Sequence, residues 1–383
     1  MSREPLTGVD VRTGRAVELT PGTDGRIVPR ESSGPPDPGV LVGPGWTDVQ
    51  VNGFAGHDVN GAPMAPDGFD AMRRALAATG VTRFLPTVIT APAPDISARL
   101  GAIAQACDAS EAVRRAVPGI HLEGPFLSPE DGARGAHPLS AIREPDRALF
   151  DAFQEAAGGL IRLVTLAPER PGALDLIRYL RSHGMVVAIG HTLADGQRIA
   201  EAADAGATLS THLGNGAPAT LPRHPNVIWE QLAEDRLYAS AIFDGHHLPA
   251  SVMRVLLRVK GPDRLLLTSD AVSLAGRAPG VYEGQVGGKV ELHPNGRLTM
   301  HGTDYLAGSA SSLADGVATA VDLLGTDPRD AWAMVSRVPE TVLGLPPSDD
   351  VTVVELGSPG TSVRRVVIDG RIAFDRDLDA GRP

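Results

Sequence analysis

Eight short apolar runs, rich in β-branched residues, punctuate the middle of this chain, and amphipathic stretches separate most of them. The strand-like runs are 46–52, 83–88, 119–123, 161–166, 185–190, 208–212, 239–244 and 264–269. Helix-like stretches at 67–79, 94–107, 146–157, 173–182, 194–205 and 249–259 carry apolar residues at three- and four-residue spacing. This alternation predicts a mostly parallel sheet with helices packed outside it. Eight units over roughly 280 residues fit a closed (β/α)8 barrel better than an open doubly wound sheet. No Gly-x-Gly-x-x-Gly follows the first strand, which argues against dinucleotide binding.

The two ends of the chain read differently. Residues 1–39 are rich in Gly, Pro and Asp, with β-like pieces at 16–19 and 26–29. After Asp270 the alternation breaks. Residues 281–301 read as two strands joined by a turn at Pro294-Asn295-Gly296, equally a lid or a plain surface hairpin. Helical patterns follow at 311–324 and 328–336, then strands at 351–356 and 363–374 with a turn at Asp369-Gly370. We therefore expect an α/β chain in which residues 43–345 form the barrel. Residues 1–42 and 346–383 pair into a small β-sandwich domain.

With 383 residues, 42% of them hydrophobic, the chain can fill a core of that size. The net charge of −11 argues against a nucleic-acid partner, which demands a basic patch. No apolar run is long enough to span a membrane. The first residues are polar, without the apolar core of a secretory signal. The single cysteine, Cys107, sits in a helical pattern as a core or helix-surface thiol. These features predict a cytoplasmic protein.

The polar residues at the strand tips carry the chemistry. Strand one ends in Asp48, Gln50 and Asn52, and strand three in His121 and Glu123. His191 follows strand five, and His212 ends strand six. Asp244, His246 and His247 cluster after strand seven, and Ser269 and Asp270 close strand eight. A barrel gathers such tips at one rim. Glu123, His191 and His212 form a one-carboxylate, two-imidazole set that suits zinc or another borderline divalent ion, with a position left for water. Asp270 fits a general base. Taken singly, a histidine after a strand is more often a structural group. His57, His183, His224 and His301 are left in that class. His121 either orients Glu123 or packs in the barrel core.

These residues, in this order, resemble the amidohydrolase superfamily, and within it the N-acetylglucosamine-6-phosphate deacetylase family. The phrases that carry the likeness begin with Pro44-Gly45-Trp46-Thr47-Asp48-Val49-Gln50-Val51-Asn52-Gly53 and His121-Leu122-Glu123-Gly124-Pro125-Phe126-Leu127. Arg134-Gly135-Ala136-His137, Gly190-His191-Thr192 and Thr211-His212-Leu213-Gly214-Asn215 follow. Asp244-Gly245-His246-His247, Thr268-Ser269-Asp270-Ala271 and Leu306-Ala307-Gly308-Ser309 complete the set. Most amidohydrolases carry His-x-His on strand one, but here Gln50 and Asn52 stand there, and amides are poor ligands.

The resemblance implies one divalent ion per subunit, zinc first and Fe2+, Co2+ or Mn2+ otherwise, held by Glu123, His191 and His212. It implies Asp270 as catalytic acid/base and His137 as the group that meets the scissile carbonyl. Asn215, Gly216, Ala136, Ala307, Gly308 and Ser309 would contact an amino-sugar phosphate. Arg223 and His247 would bind its phosphate across a homodimer interface, each reaching the neighbouring site. The family commonly has Asn-Ala-Met where this chain has Asn215-Gly216-Ala217-Pro218, so the phosphate end departs from the pattern. Two rival readings are a deacetylase of a different N-acyl amino sugar and a non-catalytic metabolite-binding barrel.

Overall fold

The computed structural model describes residues 6–283, 288–357 and 360–379. Expectations that rest on residues 1–5, 284–287, 358–359 and 380–383 lie outside the described residues. Eight parallel strands form one sheet in sequential order: β1 (Trp46–Val51), β2 (Val81–Ile89), β3 (Ile120–Glu123), β4 (Ile161–Leu166), β5 (Val186–Ile189), β6 (Leu209–Ser210), β7 (Tyr238–Ala241) and β8 (Leu265–Leu267). Their inward and outward residues are both buried, because helices cover the outer face. Leu76, Leu100, Phe153, Ile177, Ile199 and Leu256 are the apolar stripes of those helices, packed on the sheet.

Between β1 and β8 the ladder gives way to a single bridge, Val51 to Ala271, with Asn52 N donating to Ala271 O at 2.8 Å. The (β/α)8 barrel is thereby nearly closed.

Strands from both ends of the chain form one seven-stranded sheet, in the order Arg371–Asp375, Ser362–Ile368, Val351–Glu355, Val40–Pro44, Leu6–Asp10, Ala16–Pro21, Ile27–Glu31. This sheet holds the barrel at several points. Trp332 Nε1 donates to Pro44 O, Thr352 Oγ1 to Gly80 O, and Gly45 N to Asp350 O. The expected turn at Asp369-Gly370 joins Ser362–Ile368 to Arg371–Asp375 as an antiparallel pair.

The segment after β8 also differs from its reading. In place of two strands it has three, Gly280–Glu283, Lys289–Leu292 and Leu298–Met300, paired antiparallel. Val290, Leu292 and Leu298 pack with Val272 and Leu274, so the inner face of this small sheet is apolar and turned toward the barrel rim.

Candidate active site

The ligand-type residues sit at or just beyond the C-terminal tips of the barrel strands. Glu123 ends β3, His191 and His212 each lie two residues past β5 and β6, and Asp270 follows β8. The backbone turns sharply at three of these places. Five non-glycine residues with positive φ occur among the described residues, and three of them are His191 (50°), His212 (29°) and Asp270 (50°). Each such conformation costs on the order of 1–3 kcal/mol and persists where the surroundings over-determine it. Here it swings each side chain off the strand direction and into the barrel mouth.

Glu123 Oε1 lies 3.0 Å from His212 Nε2 and 3.3 Å from His191 Nε2, and the two imidazole nitrogens are 3.1 Å apart. All three groups are buried. His191 Nδ1 donates to Ala133 O at 2.9 Å, so its Nε2 keeps the lone pair. Lone-pair atoms gathered this closely repel unless a cation or a proton lies among them. The three ligand atoms fall within 4.8 Å of one another. One carboxylate and two imidazoles match a borderline divalent ion. The residues therefore fit a metal.

The charges of the cluster follow from burial and pairing. Burial alone would raise the Glu123 carboxyl, but the adjoining His191 and the hydrogen bond from His212 outweigh it and hold it well below the usual range. Gln50 Nε2 also donates to Glu123 Oε1, at 2.9 Å. Burial would likewise lower His212, and its bond to Glu123 raises it instead. Asp270 is pushed up to about 7 by burial and then by the charge of Glu123. Asn52 Nδ2 donates to Asp270 Oδ1 at 2.7 Å. His137 Nε2 sits 3.3 Å from His191 Nε2 and 4.0 Å from Glu123 Oε2. Burial, then the nearby His191, lowers His137 to about 3, so it is neutral.

These groups open into a cavity of about 540 Å³. Asn52, Glu123, His137, His191, His212, His247 and Asp270 form its polar wall, with Asn215, Gly216, Ala136, Ala307 and Gly308 beside them. Val290, Leu298 and Met300 from the three-stranded sheet, with Val272 and Leu274, form the apolar wall. The segment expected as lid or surface hairpin thus lines the cavity.

The structure places three further expected residues as follows. Ser309 does not line the cavity: it is buried, and its carbonyl accepts from Val272 N at 2.9 Å, extending the strand end by one bridge. His247, expected to reach a neighbour's site, lines the cavity of its own chain, anchored by Nδ1 to Asp244 Oδ2 at 2.6 Å. Arg223 is exposed on the loop before the helix Val227–Ala233, outside the lining of this chain's own cavity. His121 belongs to the barrel core. Its Nε2 pairs with Thr165 Oγ1 at 2.7 Å, which pairs in turn with Thr211 Oγ1 at 2.7 Å. Burial lowers its imidazole to about 4.

No family model matches the chain. Over 340 residues it is 35% identical to the N-acetylgalactosamine-6-phosphate deacetylase of Escherichia coli O157:H7, a stretch covering 87% of this chain and 88% of the relative. Over 289 residues it is 36% identical to the N-acetylglucosamine-6-phosphate deacetylase of Bacillus subtilis (strain 168), covering 75% and 71%. The chain belongs to the N-acetylglucosamine-6-phosphate deacetylase family. This family lies within the amidohydrolase superfamily. The fold agrees: a crystal structure of N-acetyl-D-glucosamine-6-phosphate deacetylase from Mycobacterium smegmatis superposes with a TM-score of 0.82 at 28% identity, over 96% of this chain and 98% of that one.

Within this deacetylase-family barrel, two sets of residues went unread in the sequence. Gln50 and Asn52 read only as missing ligands, yet both act as donors to site carboxylates. Their signal was available: they alternate with Asp48 on one side of a strand. Gly135 and Gly216 flank the His191 ring, and a Cβ on Gly216 would come within 2.8 Å of its Nδ1. Spacing alone held no sign of that.

Proposed function

We propose that this chain hydrolyses the acetamide of N-acetyl-D-glucosamine 6-phosphate to D-glucosamine 6-phosphate and acetate. The observation that carries the reading is the convergence of Glu123, His191, His212 and Asp270 on one cavity. Glu123, His191 and His212 would hold one divalent ion, zinc first, with Fe2+, Co2+ and Mn2+ as alternatives. Such an ion acidifies water and polarises a carbonyl.

Asp270 takes the proton from the attacking water and delivers it to the departing amine nitrogen. Its Oδ1 is engaged by Asn52, which leaves Oδ2 for the transfer. His137, held neutral, offers an N–H to the acetyl oxygen as negative charge grows there. The apolar wall of Val272, Leu274, Leu298 and Met300 excludes bulk water, which strengthens these interactions. Asn215, Gly216, Ala136, Ala307, Gly308 and His247 face the sugar phosphate. Ser309 holds the segment that presents Gly308. Arg223 would meet the phosphate from a second copy in a homodimer. No helix among the described residues is long and apolar enough to cross a membrane, and we place the enzyme in the cytoplasm.

A second substrate is favoured by one observation: the relative from Escherichia coli O157:H7 is named for the galacto epimer. Acetate release from N-acetylglucosamine 6-phosphate, N-acetylgalactosamine 6-phosphate and unphosphorylated N-acetylglucosamine, alongside metal analysis, decides between them. The gluco phosphate should give the highest kcat/KM with one ion per chain. Faster turnover of the galacto epimer would reassign the substrate. Metal-free protein with no acetate release from any of the three would return the chain to a non-catalytic role.

A further inference from the structure

Asp48 and Gln50 lie two apart on β1, and Asn52 directly follows its last residue, Val51. Gln50 holds Glu123 and Asn52 holds Asp270. Asp48 is wholly buried and lines no part of the cavity. Its Oδ1 accepts from Thr268 Oγ1 at 2.7 Å, from Ser269 N at 3.2 Å and from Gln50 N at 3.3 Å. Its Oδ2 accepts from Ser269 N at 3.3 Å.

These bonds lie where the barrel lacks a ladder. β1 and β8 share no ladder, and their backbone bridge comes only at the last residue of β1 and past the end of β8, at Val51 and Ala271. Across that seam one carboxylate ties β1 to the two residues that immediately precede Asp270. Asp270 then leaves the strand in a left-handed conformation. Its placement depends on how firmly Ser269 is held, because the next peptide inherits any shift there. Every partner that faces Asp48 is a donor. An amide of the same shape would turn its own N–H groups toward at least one of them, leaving donors opposed.

We propose that Asp48 is a positioning residue for Asp270, closing the barrel seam so that the proton-carrying carboxylate meets the substrate. The proposal rests on the reading of Asp270 as proton carrier. A misplacement of about 1 Å costs about 100-fold in rate, so the effect belongs in kcat.

The test compares Asp48→Asn and the milder Thr268→Val with wild type on N-acetylglucosamine 6-phosphate, scoring kcat, KM and zinc per folded chain. Val353→Ala, in the seven-stranded sheet, shows what destabilisation alone does to kcat. Asp48→Asn should lower kcat about 100-fold and Thr268→Val about 10-fold, with KM and zinc content near wild type. Should Asp48→Asn not fold, Thr268→Val decides by the same criteria. Unchanged kcat per zinc-loaded chain, or a loss matched by Val353→Ala at equal Tm, makes Asp48 a fold residue only and overturns the proposal. An Asp270→Asn control separates the two readings. If that variant turns over normally, the proton-carrier reading fails and takes this proposal with it. If it is inactive while Asp48→Asn and Thr268→Val are normal, this proposal alone fails.

Discussion

At the residue scale the site is a contest between burial and pairing, and Asp270 shows the outcome most directly. Burial and the Glu123 charge raise its carboxyl to about 7, yet a proton acceptor must be ionised. Below that pH a growing share of molecules holds Asp270 protonated, so kcat/KM should fall on the acid side. A bound cation draws the midpoint down from about 7, never above it. A pH profile of kcat/KM on the zinc-loaded enzyme checks this, and a rate that holds flat from pH 8 to pH 4 would contradict it. Gly216 offers a second prediction. Its φ of +57° and the 2.8 Å approach of a Cβ to His191 Nδ1 make Gly216→Ala doubly unfavourable. The ring must shift off its bond to Ala133 O, which orients Nε2. Zinc affinity measured by equilibrium dialysis should weaken about 10- to 100-fold. The ligand residues were legible because strand tips advertise them. The donors behind them were not, because an amide or a carboxylate on a strand reads the same whether it ligates, donates or closes a seam. Glu123 could be named from its motif; Gln50 could be understood only beside it.

At the element scale, long periodic segments were legible and short ones were not. Each of the eight strand-like runs overlaps a barrel strand, because short apolar, β-branched runs between helical patterns leave little alternative. The helices Glu111–Ala116, Val227–Ala233 and Arg337–Leu343 span two turns or less, too few for a period to register. Leu6–Asp10 alternates buried and half-buried residues but contains a glycine and an aspartate that weaken the strand pattern. One contact between elements yields a pH-dependent prediction. Lys260 ends the helix Ala250–Lys260, and its ammonium donates to Glu234 O at 2.9 Å and Leu237 O at 3.0 Å. The helix end is thereby tied to the segment entering β7. Burial lowers this ammonium to about 8 from an ordinary 10.5. Between those values the unfolded chain binds the extra proton, so this group's contribution to stability rises with pH and is lost as pH falls toward 8. The Tm gap between wild type and Lys260→Met should therefore widen by a few degrees from pH 8 to about 10.5. A gap that narrows over that range would reverse the sign.

At the scale of the whole molecule, the barrel and the terminal sheet hold each other in place. The strands after residue 345 bury Val351, Val353, Val354, Val363, Val366 and Val367. Burying a valine is worth about 1.5–3 kcal/mol as an upper estimate, so six of them rival the 5–15 kcal/mol net stability typical of a domain. Removing the tail would also free the edge of Val40–Pro44, whose ladder to Val351–Glu355 runs over five residues. That leaves an apolar strand edge open to aggregation. At the barrel it strips the bonds from Thr352 to Gly80, just before β2, and from Gly45 to Asp350, just before β1. The strand that carries Asp48, Gln50 and Asn52 is therefore supported at its base by the C-terminal tail, far along the sequence from the ligands it orients. A chain ending at residue 345 should accumulate as insoluble protein, while the full chain unfolds in one transition by circular dichroism. A soluble 345-residue chain that binds one zinc per molecule would show instead that the barrel stands without its sheet.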